Sequence, residues 1–188
     1  MTEERLVDLC KKGDNEARAA LYKAYAPRLM AVCLRYASGR EQAEDWLHDT
    51  FLRAFEKIGR FRWQGAESLR VWMNRVARSV AIDNLRHKGL LTIVPLDEDH
   101  DQPTDEAEPT ADDIYRINEA DLFRLIGELP EGYRAVFNLY CIDGFSHREI
   151  ARMLGIKEKT SASQLVHAKA QLAKRIREMV ECASHNEE

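Results

Sequence analysis

Apolar residues recur along this chain every three to four positions, and no stretch alternates apolar with polar over the length of a strand. AEDWLHDTFLRAFEKI (43–58) carries the pattern most plainly. Turning about 100° per residue puts Ala43, Trp46, Leu47, Thr50, Phe51, Ala54 and Ile58 on one face. The same periodicity predicts helices over about 3–12, 15–37, 41–58, 68–88, 112–128, 131–142, 146–153 and 159–180. The expected fold class is all-α.

One stretch breaks the pattern. PLDEDHDQPTDEAEPTADD has three prolines, nine acids and no aromatic residue, so it cannot bury enough surface to fold alone. It is expected to be a flexible acidic linker over 92–113, separating a helical domain at 1–91 from a small helical domain at 114–182, with a frayed tail at 183–188. Charge sharpens this division. The formal net charge is −4, yet 53–88 holds nine bases against three acids and 146–177 holds eight against two. Two basic blocks around an acidic one suggest two surfaces for a polyanion, joined by a segment that repels it.

The C-terminal block has a recognisable order. Ser146 and Glu149 fit a capping box, Ile150, Ala151 and Leu154 face inward, and Gly155 supplies a turn residue tolerant of positive φ. Ile156 then plugs the angle, Thr160 can cap the next helix, and Leu165, Ala168, Leu172 and Ile176 give that helix an apolar stripe. This is a helix-turn-helix pattern, whose second helix enters the major groove by its first turns. An ordinary helical hairpin with a solvated basic face is the competing reading. On the DNA reading, Ser161, Ser163, Gln164 and His167 are the candidate base readers. Lys157, Lys159, Lys169 and Lys174 suit phosphate, which positions without specifying. No arginine precedes Arg175 in this helix, so the commonest guanine reader is missing.

The N-terminal domain carries two candidate surfaces. Opposite the apolar face of 43–58, Leu52 stands among Asp45, His48, Asp49 and Glu56, a docking patch for a basic protein partner or a solvated face with one stray leucine. Further on, Arg60, Phe61, Arg62 and Trp63 interleave cations with rings, and Asn74, Arg75, Arg78 and Ser79 lie opposite the apolar face of the helix over 68–88. Such mixtures suit unstacked single strands, whereas Phe61 and Trp63 taken singly suit core anchors beneath a basic surface.

Nothing competes for catalysis. There is no glycine-rich phosphate loop, nucleophile motif or histidine pair at metal-ligand spacing, so no enzyme activity, small-molecule substrate, metal or cofactor is expected. The four cysteines form no C-x-x-C pair, and no apolar run is long enough to span a bilayer. A reduced, cytoplasmic protein without membrane insertion is expected.

Together these segments resemble one family. GDNEARAALYKAYAPRLMAVCLRYASGREQAEDWLHDTFLRAFEKIGRFR followed by SLRVWMNRVARSVAIDNLRHK is similar to region 2 of the extracytoplasmic-function (ECF, group IV) sigma factors of the sigma-70 family. LIGELPEGYRAVFNLYCIDGFSHREIARMLGIKEKTSASQLVHAKAQL is similar to their region 4. The resemblance implies a transcription initiation factor built from a region 2 bundle and a region 4 helix-turn-helix. It implies core RNA polymerase as partner, with Asp45, His48, Asp49, Leu52 and Glu56 on the β′ clamp helices and region 4 on the β flap. Promoter DNA would be bound as a melted −10 strand by Arg60, Phe61, Arg62, Trp63, Asn74, Arg75, Arg78 and Ser79. The −35 duplex would meet Lys159, Thr160, Ser161, Ser163, Gln164, His167 and Lys169, and an anti-sigma factor is implied as antagonist. Two departures stand out. Lys159-Thr160-Ser161 replaces the family's usual Gly-Thr-Val, removing a buried valine, and the recognition helix lacks the usual arginines. A one-component helix-turn-helix regulator is the alternative from the pattern alone.

Overall fold

The computed structural model describes residues 2–65, 67–87 and 118–185, and among them every regular element is helical. The expected linker at 92–113 lies outside the described residues, as do the first residues of the helix expected from 112. The chain divides into two compact units, Met1–Asn84 and Leu85–Glu188.

In the first unit α1 (Glu3–Lys11) leads through a turn at Gly13 into α2 (Asn15–Tyr36), which folds back on α3 (Arg40–Lys57). A single 3₁₀ turn, Ile58–Arg60, precedes a loop and then α4 (Ser68–His87). Short polar residues start these helices as sequence logic requires. Thr2 caps α1, and the Asp14 carboxylate accepts the Ala17 N–H at 2.8 Å to cap α2. Leu21, Leu29 and Tyr36 of α2, Trp46 and Phe51 of α3, and Leu69, Met73 and Val80 of α4 are buried. The Tyr25 hydroxyl, donating to Glu3 at 2.7 Å, ties α1 to α2. Cys33 is a free core thiol whose pKa burial pushes up to about 11, so it is inert packing at neutral pH.

The second unit comprises α5 (Glu119–Gly127), α6 (Glu131–Phe137), α7 (His147–Leu154) and α8 (Glu158–His185). Its centre is Leu125, Ile126, Leu129, Tyr133, Ala168, Leu172 and Ile176, with Phe137 against them. The buried Arg134 reaches back to close the end of α5, its Nη1 donating to the Gly127 carbonyl at 2.5 Å and to that of Leu129 at 3.2 Å. The helix expected over 131–142 does span those residues, but Asn138–Ile142 widens into a π turn, which a 3.6 periodicity does not register. The tail expected to fray from 183 is helical as far as His185.

The capping box at the start of α7 is complete. Ser146 Oγ accepts the Glu149 N–H at 3.3 Å, and Glu149 Oε2 accepts the Ser146 N–H at 2.9 Å and its hydroxyl at 2.7 Å. Those bonds to Ser146 hold the Glu149 carboxyl below its ordinary value. A depressed folded pKa contributes stability that is present above the unfolded value and is lost as pH falls through the folded one. Urea unfolding of the full chain between about pH 6 and pH 3 should therefore include a decline that Glu149→Gln flattens, since Gln keeps the box without titrating. An unchanged pH profile in that variant would remove the box as its source.

Candidate nucleic-acid and partner interfaces

Helix α3 separates its two faces sharply. Ala43, Trp46, Leu47, Thr50, Phe51 and Ala54 point into the bundle, and the Thr50 hydroxyl donates to the Trp46 carbonyl at 2.6 Å. On the outer side Asp45, His48, Asp49, Leu52 and Glu56 are all exposed, with Leu52 51% accessible. The geometry thus brings together every residue of the expected docking patch. Arg53, on the flank, donates to Asp83 at 2.5 Å and to Ser79 at 3.3 Å, so a half-buried ion pair clamps α3 to α4. Ser79 is therefore already engaged within the protein.

The loop between the 3₁₀ turn and α4 is tied down. The Gln64 N–H donates to Ser68 Oγ at 3.2 Å, and that hydroxyl donates to the Gly65 carbonyl at 2.7 Å. Gly65 at φ 95° and Glu67 at φ 76° turn the chain, and Glu67 also pairs with Arg70. Arg60 and Arg62 are displayed, and Trp63 is half-buried. Phe61 corrects an expectation. It is 8% exposed, with its ring centroid 5.0 Å from that of Trp72, so it anchors the loop to the core and offers no free face to a base. Along α4 Arg75 is exposed, while Asn74 and Arg78 are half-buried. The Asn74 Oδ1 atom is buried without a hydrogen-bond partner. Val71, 51% exposed and one turn before Arg75, was not singled out from the sequence.

In the second unit Gly155, at φ 71° and ψ 30°, closes α7 with its N–H on the Ala151 carbonyl. Helix α8 begins at Glu158, so Thr160 lies inside its first turn and does not cap it. That register changes which side chains face out. Ser161 is fully buried, its hydroxyl 3.0 Å from His147 Nδ1, and the His147 ring stacks on Tyr140 at 4.5 Å. Gln164 is 5% exposed and covers Gly132, where an added Cβ would lie 3.2 Å from its Nε2. Neither can reach a base edge without unpacking the unit, so both are corrected from base readers to packing residues. His167 is half-buried and stacked on Tyr133 at 5.7 Å. Lys159 and Lys169 are exposed, with Thr160 and Ser163 partly so. Arg148 and Arg152 on α7 are exposed cations that the sequence reading passed over, on the helix that in this motif crosses the phosphate backbone.

Two family models match the chain, "Sigma-70 region 2" over residues 21–90 and "Sigma-70, region 4" over residues 119–172. The chain is 30% identical over 154 residues to "ECF RNA polymerase sigma factor RpoE" of Cereibacter sphaeroides, an alignment covering 81% of this chain and 82% of that one. It is 29% identical over 154 residues to "ECF RNA polymerase sigma factor SigE" of Mycolicibacterium smegmatis, covering 81% of this chain and spanning 58% of that relative's length. Among solved structures, the sigma factor RpoE of Bartonella quintana, crystallised with the anti-sigma factor NepR, superposes with a TM-score of 0.48 at 21% identity, over 85% of this chain and 96% of that one.

Proposed function

This chain belongs to the extracytoplasmic-function sigma factors of the sigma-70 family, and from that premise we propose that it is a non-enzymatic, cytoplasmic initiation factor that binds core RNA polymerase and directs it to specific promoters. The outer face of α3, with Leu52 among Asp45, His48, Asp49 and Glu56, docks on the β′ clamp helices. The loop displaying Arg60, Arg62 and Trp63, with Asn74, Arg75 and Arg78 behind it, captures unstacked bases of the −10 element. The outward side of α8 reads the −35 duplex, and the second unit also binds the β flap. An anti-sigma factor acts by covering these faces.

The observation that carries this reading is the pairing of match and surface. The region 4 match lies within the second helical unit, the region 2 match covers most of the first and runs on to residue 90, and each unit displays the residue types its task needs. Flipping a base out of the stack costs a few kcal/mol, offset by stacking and pocket contacts, so capture of the melted strand can drive opening. The one-component regulator is not favoured. It would need tight duplex binding alone, and the reading helix holds no arginine before Arg175.

The test is in-vitro transcription with core polymerase from a related bacterium on a pool of its promoter fragments. Start sites that appear only when this chain is added are the expected result. No added transcripts, together with tight duplex binding by the chain alone, would favour the one-component regulator.

A further inference from the structure

Once Ser161 and Gln164 are placed inside, the outward side of α8 has an unusual composition for a surface that must discriminate bases. Successive residues turn by about 100°, so 159, 163, 166 and 170 share the side opposite the buried Ser161, Leu165, Ala168 and Leu172. Along that stripe stand Lys159, Ser163, Val166 and Ala170, with Ala162 beside them. Val166 is the exposed apolar centre, 47% accessible, and the exposed ammonium groups of Lys159 and Lys169 lie on its flanks.

The chemistry of this stripe limits what it can read. Bidentate recognition of guanine falls to arginine or lysine, and bidentate recognition of adenine needs an exposed amide. Arginine is absent from this part of the helix and the only amide in its first turns, Gln164, is buried. A serine hydroxyl bonds to several base edges without choosing among them. Besides the lysines, what remains discriminating is methyl against methyl. In the major groove thymine alone presents a C5-methyl group, and apolar side chains contact it. The flanking lysines fit phosphate and hold the helix in the groove, which leaves the valine to meet the base edge.

We propose that Val166 is a specificity-determining residue of the −35 contact, its methyl groups packing against the C5-methyl of a thymine in the duplex. The assignment rests on the initiation-factor reading above and adds to it the base that is recognised. It also gives an exposed β-branched residue on a basic helix face an apolar partner, which water is not.

The experiment uses the full chain with core polymerase on a promoter identified in the transcription pool. Each −35 thymine, on either strand, is replaced in turn by deoxyuridine, which lacks only the methyl group. Wild-type initiation should fall roughly fourfold at one position, the factor expected from losing one methyl-sized burial. Val166→Ala should initiate equally on thymine and deoxyuridine at that position. The substitution trims an exposed side chain and raises helix propensity, so the unit remains folded. Chain-dependent initiation insensitive to every deoxyuridine overturns the thymine assignment while leaving the initiation reading intact. A methyl effect that persists undiminished in Val166→Ala overturns the role of this residue. Absence of any chain-dependent transcript removes both readings together.

Discussion

Asp49→Ala combined with Leu52→Ala will abolish chain-dependent transcription while leaving thermal stability within about 0.5 kcal/mol of wild type. The two halves of that expectation have separate physical grounds. Both side chains are exposed, on the side of α3 opposite Trp46, Leu47 and Phe51, so neither supports the bundle. An interface, by contrast, draws most of its energy from a few anchors that become fully desolvated, each worth about 2 kcal/mol or more. Leu52 is the apolar group available for that role on this face, and Asp49, one turn before it, is a carboxylate suited to a basic partner. At about 2 kcal/mol each, losing both should weaken core polymerase binding by roughly a thousandfold. Asp45 and Glu56 remain, so residual binding should stay salt-sensitive. Unaltered polymerase affinity in the double variant would place the docking face elsewhere.

Local chemistry was the legible part of this fold. Ser146, Glu149 and Gly155 act through hydrogen bonds and backbone angles set within a few residues, so a string of letters is enough to locate the turn of the helix-turn-helix. The long periodic helices were legible for a similar reason, because a 3.6 repeat averages over many residues. Facing direction in a first turn was less so. Ser161 and Gln164 lie in the first turns, which suggests base contact, yet burial in α8 is set by the phase of the helix. The signal was present. Counting back four residues from Leu165 and Ala168 lands on 161 and 164. Val166 lies outside the apolar stripe of Leu165, Ala168, Leu172 and Ile176, and residue type alone does not mark an exposed valine as a contact. The π turn at Asn138–Ile142 and the Arg134 closure of α5 depend on non-neighbouring carbonyls, which no pattern of single residues encodes.

The aromatic loop was ambiguous in sequence, and its geometry predicts that two neighbouring rings behave oppositely. Phe61→Ala should destabilise the chain by about 3 to 5 kcal/mol, because the ring is buried against Trp72 and its removal leaves a cavity that packed helices fill only partly. In a unit of this size that lowers the melting temperature by about 15 to 30 °C, measurable by circular dichroism on the full chain. Trp63→Ala, at a half-buried position on the displayed side of the loop, should change stability by less than about 1 kcal/mol. It should instead reduce promoter opening, because stacking on a single base is worth about 1 to 3 kcal/mol. Opening is read by permanganate reactivity of −10 thymines in the polymerase complex. The contrast separates support from recognition. If Phe61→Ala melted normally yet lost opening, Phe61 would be a base platform and the packing against Trp72 incidental. If Trp63→Ala opened promoters at the wild-type rate, strand capture would rest on Arg60, Arg62 and the α4 stripe alone.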